Sequence, residues 1–430
     1  MNIKKHGALS SHTDSINKLF FIIMSAGFLC FIVSLFITRG QSFYEVLFAG
    51  EDMFMDLFNS ISHSTGKIPY ENMPFSPANG PAIYPPFAYL IYKCIAHVIP
   101  RDILLSGSFA VRSTQIGFVV SALYITVLSM ALYFIIAHNK KGTSVEKFVF
   151  SLLIAFSFPF IFQLERANII FISLIFLMLF IYGKESENKI IRELSLICLA
   201  VSTAIKIYPA IFGLLLVKEK RYKETLRLLI YGIVCFFAPF FAIGGVKAAL
   251  LFFKSLSEFS VNAARGFGYK INFTNAVKLP FFLLTGESPA SIDLAAKILL
   301  ICLSALAVVS VFTLTSKWKA VTLLSLLMIL IPSFSYMYTL IFLLPPLMLF
   351  LDAKEDRKAI DYVYAVLFCL MFIPIAVKRP DSFQGVSMSV FIENFSILIL
   401  FVMLIGEGMV ALTALLRKRF NGAGKAVLNA

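Results

Sequence analysis

Apolar runs long enough to cross about 30 Å of hydrocarbon recur from Leu19 almost to Leu416, and this pattern constrains the fold more than any other feature of the sequence. A soluble globular domain carries roughly a quarter charged residues and under half apolar ones. Here 59% of 430 residues are hydrophobic and 14% are charged, which excludes a water-soluble fold. The chain reads as an all-α, polytopic integral membrane protein forming one membrane domain over residues 1–430, with any chemistry placed in loops or between helices. The polar segment MNIKKHGALSSHTDSINK precedes an apolar run, Leu19 to Thr38, that has no small-residue cleavage site, so a retained first helix is expected. The six cysteines all lie in apolar segments without metal-like spacing and read as small core residues, and the 46 phenylalanines suit lipid-facing packing.

The net charge of +14 first serves orientation, because Lys and Arg accumulate in loops left on the cytoplasmic side. Nucleic acid is not the expected partner; the lipid bilayer is. Basic clusters occur at the amino terminus, Lys140 to Lys147, Lys184 to Arg192, Lys218 to Arg227, Lys317 to Lys319, Lys354 to Lys358 and Arg417 to Lys425. Between two such loops the chain must cross an even number of times. The stretch Phe148 to Tyr182 is interrupted only by Glu165 and Arg166, so it must turn over at QLERAN, and Leu194 to Val217 must turn over at KIYP around Lys206. The arms have roughly 11 to 18 residues against the ~20 of a full span. Both tips should then lie below the outer surface, where charges survive only in a water-filled or protein-lined cavity. Arg166 and Lys206 are therefore expected to share one outward-facing cavity. The alternation closes at about twelve crossings, roughly 11 to 13, with both termini cytoplasmic. It leaves outside a long first loop with interfacial helices (40–115), a second segment (244–292), and turns at Ser333 to Tyr338 and Val377 to Ser389. Tyr84 to Ile99, which holds Lys93 and His97, is read as a helix lying in the outer interface.

A loop as long as 40–115 usually has a function. Its Asp52 and Asp56 are four apart and face one side if the segment is helical. Transfer of a glycosyl group needs such a carboxylate, to take the proton of an acceptor hydroxyl attacking the anomeric carbon. An acidic pair beside a membrane can equally be solvated. A cation such as Lys206 in a 24-residue apolar stretch costs on the order of 3 kcal/mol unless water or an anion meets it, although it can snorkel from a helix end. Arg166 has Glu165 as an available structural partner; together with Lys206 it can instead stabilise the charge developing on a phosphate leaving group. The two prolines of YPPF (Tyr84 to Phe87) fix a rigid helix start. VNAARGFGYKINFTNAVKLP, with Arg265, Tyr269 and Lys270, suits contact with an acceptor or a lipid phosphate, or is a plain solvated loop. Asn272-Phe-Thr274 matches a glycosylation acceptor pattern that recurs by chance. His63 and His97 are isolated and read as surface residues. No glycine-rich nucleotide loop, paired His set or Ser nucleophile signature occurs, so no cofactor, no nucleotide-sugar donor and no bound catalytic metal is expected.

The order and spacing of an aspartate segment (EDMFMDLFNS), G-x-x-PY (Gly66 to Tyr70), YPP (Tyr84 to Pro86), an ER-x-N hairpin tip (Glu165 to Asn168) and K-x-YP (Lys206 to Pro209) resemble the C-type glycosyltransferases. Among these they are most similar to the polyprenyl-phosphate-sugar-dependent enzymes of glycosyltransferase family 87. The resemblance implies a GT-C-like membrane fold in a bacterial inner membrane with the site facing outside. It further implies inverting transfer of a hexose, often mannose, from a polyprenyl-phosphate donor to a glycan or glycolipid acceptor. By the same resemblance the base is Asp56 or Asp52, with Asp56 preferred; Arg166 and Lys206 hold the donor phosphate, and Tyr84, Asn168 and Tyr208 shape the pocket, to which the second large loop adds Arg265 and Tyr269. Ala167 stands where the resemblance leads one to expect Gly. A transporter or flippase of lipid-linked sugars is the alternative, since it too places cations in a midplane cavity.

Overall fold

A computed structural model describes residues 3–47, 52–71, 82–262, 267–286, 290–375 and 387–428. The chain runs through α1 (Ile3–Ile37), a 3-10 turn (Gln41–Glu45), α2 (Met55–Ser64), α3 (Pro86–Ala96), α4 (Arg101–Leu105), α5 (Ser108–Arg112), α6 (Gln115–Asn139), α7 (Ser144–Ala155), α8 (Phe158–Arg166) and α9 (Ile170–Gly183). It continues with α10 (Lys189–Ile205), a 3-10 helix (Tyr208–Gly213), α11 (Leu214–Lys218), α12 (Tyr222–Ala242), α13 (Gly245–Asn262), α14 (Phe273–Thr285) and α15 (Ala290–Thr313). The last elements are α16 (Lys317–Leu330), a second 3-10 helix (Met337–Leu343), α17 (Leu344–Leu351), α18 (Ala359–Phe372) and α19 (Met388–Leu428). No strand occurs among the described residues; the single β-type pairing is an isolated antiparallel bridge between Lys270 and Tyr336.

Among the described residues five helices are long and apolar enough to cross a membrane, and a sixth span results if α7 and α8, bent by 58° at their junction, count as one. These helices hide little of themselves: in α12 only 17% of the apolar window is buried, so its Leu229, Ile233 and Phe237 point outward. An outward apolar surface is what hydrocarbon solvates, and it corrects the expectation for the cysteines: Cys30, Cys94 and Cys302 are exposed and only Cys369 is buried. α3 spans about 16 Å at the α-helical rise, too short to cross, and it packs its Ala88, Tyr89 and Tyr92 face inward.

Local chemistry sets the helix ends. Thr143 and Glu146 form a reciprocal capping box at the start of α7. Asn188 accepts the Ile190 N–H at 2.8 Å to begin α10. Pro85 precedes α3 and Pro86 fills its first turn, where a missing N–H costs nothing. α8 ends because Ala167 turns left-handed at φ 47°, and the rings of Phe160 and Phe171 then meet at 5.9 Å as the chain folds back. α10 ends at an extended Lys206, after which Pro209 opens the first long 3-10 helix. The α16 hairpin repeats this plan, with an irregular turn followed by the second 3-10 helix.

The opposite helix ends are drawn together by charge. Fully buried Lys184 pairs with Glu219 and, at 2.9 Å, with Glu185, which also binds Lys317 at 2.7 Å. Lys218 donates to the Leu314 carbonyl at 2.6 Å, Arg192 reaches Glu224 at 3.5 Å, and Lys140 pairs with Asp352. The loops α6–α7, α9–α10, α11–α12, α15–α16 and α17–α18 thus close one end of the molecule, one helix length from the tips at Ala167, Lys206 and Tyr336. Two apolar cores flank the space between those tips. One contains Phe162, Tyr269 and Tyr338; the other contains Tyr84, Tyr89, Ala167 and Ile205.

Candidate active site

The seam between the two cores opens as a cavity of about 480 Å³ whose lining includes Asp52, Asp56, Tyr84, Arg166, Lys206 and Tyr208. Residues more than 150 positions apart thus converge, because three hairpin tips meet the loop that leads into α2.

Arg166 is the hub. Its Nη1 donates to Asp52 Oδ2 at 2.5 Å and to the Asp52 carbonyl at 3.2 Å, its Nε donates to Asp56 Oδ1 at 3.2 Å, and its Nη2 binds the same Asp56 oxygen. Arg166 therefore pairs with the two loop aspartates, partners the sequence did not single out for it. Glu165 gives its backbone carbonyl to the Phe54 N–H at 2.6 Å, stitching the aspartate loop to the hairpin tip. Arg112 of α5 adds a third stitch, to the Met53 carbonyl at 3.3 Å. Phe54 is left-handed at φ 63°, so the helical register expected through Asp52 starts only at Met55. The pair still meets one guanidinium, because Asp52 approaches from the preceding turn.

Asn168, wholly buried, fixes the other oxygen of Asp56. Its Nδ2 donates to Asp56 Oδ2 at 2.6 Å and to the Tyr84 hydroxyl at 2.8 Å, while its Oδ1 accepts the Ile170 N–H at 3.0 Å. The two carboxylates consequently differ. Asp56, its side chain 19% exposed, has both oxygens engaged, whereas Asp52, at 32%, has one engaged and faces the opening. Lys206 Nζ stands 4.3 Å from the centre of the Tyr84 ring, and Tyr208 lines the same wall. With two anions and two cations the cluster is formally neutral, so an anionic ligand can enter by displacing a carboxylate from Arg166.

Tyr269 does not line the cavity; its ring lies 5.6 Å from that of Phe162, which does. Arg265 lies outside the described residues. Asn272 is buried, accepting the Asn275 N–H at 2.8 Å and donating to the Ser333 carbonyl at 2.9 Å, so the glycosylation pattern there is a helix cap. His63, read from the sequence as a surface residue, is buried and lines the cavity on the face of α2 that carries Asp56, Asn59 and Ser60. Its spacing of seven from Asp56 was the available signal. His97 is exposed and contacts the Lys93 carbonyl at 2.6 Å. The sequence reading also missed Phe162, Phe259, Phe334, Tyr336 and Tyr338, which add aromatic lining to the same cavity. Among the described residues no group of three or more His, Cys, Asp or Glu is placed to hold a metal ion.

The model of glycosyltransferase family 87 matches residues 82–335, more than half of the chain. The chain belongs to glycosyltransferase family 87. The family 87 match contains Tyr84, Arg166, Asn168, Lys206 and Tyr208, and it extends through α16, well past the first half of the chain in which the motifs lie. Asp52 and Asp56 precede it; their place in this family 87 site rests on the contacts to Arg166 and Asn168. No curated protein and no solved structure matches the chain. Membership makes the protein a glycosyltransferase, and its long outward-facing apolar helices are those of a membrane-embedded protein.

Proposed function

We propose that the protein transfers a hexose, with mannose the first candidate, from a polyprenyl-phosphate donor to an extracytoplasmic glycan or lipid acceptor, with inversion at the anomeric carbon. The observation that carries the reading is the Asp52–Arg166–Asp56 cluster, with Lys206 in the same cavity: carboxylates for a proton and cations for a phosphate. The donor phosphate takes the place of the carboxylates on Arg166, with Lys206 beside it. Asp56 then keeps its aim through Asn168 and regains a free oxygen. The acceptor oxygen attacks the anomeric carbon from the side opposite the phosphate and its proton passes to Asp56. The carbon–oxygen bond to phosphate breaks as its electron pair leaves on the phosphate, whose charge the two cations stabilise. Asp52, less firmly held, anchors Arg166 between turnovers.

A count of about twelve crossings follows if the short arms α9, α10, the 3-10 segments with α11 and α17, α16 and α18 are added to α1, α6, the α7–α8 pair, α12, α15 and α19. The ion-paired loops then lie on the cytoplasmic side with both termini, and the cavity opens outward in a bacterial inner membrane.

The test is transfer by purified protein in lipid, offering labelled polyprenyl-phosphate mannose and glucose with an envelope-lipid acceptor. Asp56→Asn should lower the rate by about 10²- to 10⁴-fold, the scale of a general base. Lys206→Ala should lower it by roughly 10²- to 10³-fold. Full activity of Asp56→Asn removes the assignment of the base. Movement of the lipid-linked sugar across the bilayer, with no transfer to a competent acceptor, replaces the enzyme with a flippase.

A further inference from the structure

Part of the cavity lining comes from a short segment, 332–338, that the proposed chemistry does not use. Pro332, Ser333, Phe334, Tyr336 and Tyr338 line the cavity, while Ser335 and Met337 are buried and do not. The segment is held by backbone pairing with the stretch before α14. The Ile271 N–H donates to the Ser335 carbonyl at 2.7 Å and the Met337 N–H to the Tyr269 carbonyl at 3.0 Å, and Asn272 holds the Ser333 carbonyl. The rings support one another in sequence. Phe259 and Phe334 lie 4.3 Å apart, Phe334 and Tyr336 4.6 Å, and Tyr336 and Tyr338 5.8 Å, the first two pairs edge-to-face. Such contacts leave little rotamer freedom to lose when a ligand settles on the rings. Phe334 and Tyr336 remain only partly buried, and the Lys270 ammonium stands 5.7 Å from the centre of the Phe334 ring. The Tyr336 phenol is protonated at neutral pH, as tyrosines are, and lines the same cavity as Asp56 and Arg166.

We infer that Phe334 and Tyr336 form a platform for a pyranose ring, holding the apolar C–H face of the sugar against aromatic carbon while its oxygens face Arg166, the aspartates and Lys206. A pyranose suits a lining of such mixed character, because its axial C–H groups form an apolar face and its hydroxyls a polar rim. Aromatic surface and charged donors and acceptors in one cavity therefore orient the ring as well as binding it. The Tyr336 hydroxyl reads one substituent on that rim. The ring can belong to the donor or to the acceptor, and the inference rests on the transfer reaction proposed above only for which of the two it is.

The test is ligand-observed NMR on the full-length protein in lipid nanodiscs, with methyl α-mannoside and methyl α-glucoside as probes. Wild type should bind glycoside, with saturation strongest at the C–H protons of one ring face. Phe334→Leu and Tyr336→Ala should weaken binding roughly tenfold. Tyr336→Phe should keep the binding and change the preference between the two epimers. Unchanged thermal midpoints show that the variants fold. In transfer assays, a raised KM for the lipid-linked sugar with the acceptor KM unchanged assigns the platform to the donor, and the reverse assigns it to the acceptor. The inference fails if wild type binds neither glycoside, or if the aromatic variants bind them as wild type does. Loss of transfer with glycoside binding still dependent on Phe334 and Tyr336 would instead fault the proposed reaction and leave the platform standing.

Discussion

Replacing Arg166 by alanine should destabilise the protein, and removing one of its two anions should then restore part of the loss. The wild-type guanidinium is buried, satisfies Asp52 through Nη1 and Asp56 through Nε and Nη2, and is the group that allows two carboxylates to share one cavity wall. Breaking a buried ion pair from one side costs about 3–5 kcal/mol. With the Asp52 side chain 32% exposed, water relieves part of the charge, which places Arg166→Ala near the lower bound, about 3 kcal/mol. Asp52→Asn in the wild type should cost at most about 1 kcal/mol, because one partly solvated hydrogen bond to Arg166 weakens. In the Arg166→Ala background the same change removes one of two repelling charges and should stabilise by about 1–2 kcal/mol. The sign of the Asp52→Asn effect therefore reverses, for a coupling energy of about 2–3 kcal/mol. Thermal unfolding in detergent, read by intrinsic fluorescence for the four proteins, measures this; for a chain of this size each kcal/mol corresponds to roughly 1–2 °C. If Asp52→Asn shifts the midpoint equally and in the same direction in both backgrounds, the three side chains are not a coupled unit, and the exchange of carboxylate for phosphate on Arg166 loses its basis.

Ala167→Gly should stabilise the protein by up to about 1 kcal/mol in the same assay, since relief of a left-handed residue at φ 47° outweighs the entropy glycine adds to the unfolded chain; a loss of stability would mean that the alanine methyl packs productively at the hairpin tip. Glu185 titrates in the loop after α9: burial alone would raise its carboxyl, but Lys317 and then Lys184 outweigh burial and hold it below the usual carboxylate range. A depressed carboxylate contributes stability in full above the unfolded-state value of about 4.3, and that contribution is lost as pH falls through the lower folded-state value. The thermal midpoint should therefore fall below about pH 4, and less steeply in Glu185→Gln; identical profiles for the two proteins would refute the assignment.

The hairpin tips were legible because a charge inside an apolar run is expensive, so the chain reverses where Arg166 and Lys206 stand. What the sequence could not supply was which groups these cations meet. Arg166 and Asp56 are 110 positions apart, and their encounter depends on Phe54 and Ala167 both adopting left-handed backbone, a conformation neither residue type announces. Glu165 is the nearer anion along the chain, but helical geometry turns adjacent side chains to different faces. The aromatic wall was hidden for a related reason. Pro-Ser-Phe-Ser-Tyr-Met-Tyr has the alternation of a strand, yet a strand needs a partner, and the partner at 269–272 lies beyond three helices in the chain. Its family resemblance was carried only by proline and tyrosine content, which does not say that Phe334, Tyr336 and Tyr338 line one cavity. A reader of this sequence could place the two cations from the cost of burying charge alone, but could find the aromatic segment only after knowing that residues 269–272 pair with it. The placing of the two cations is thus set by local desolvation energetics, and that of the aromatic segment by long-range backbone pairing. Substitutions at 269–272 that break the pairing should therefore displace Phe334 and Tyr336 while leaving the Arg166 cluster intact.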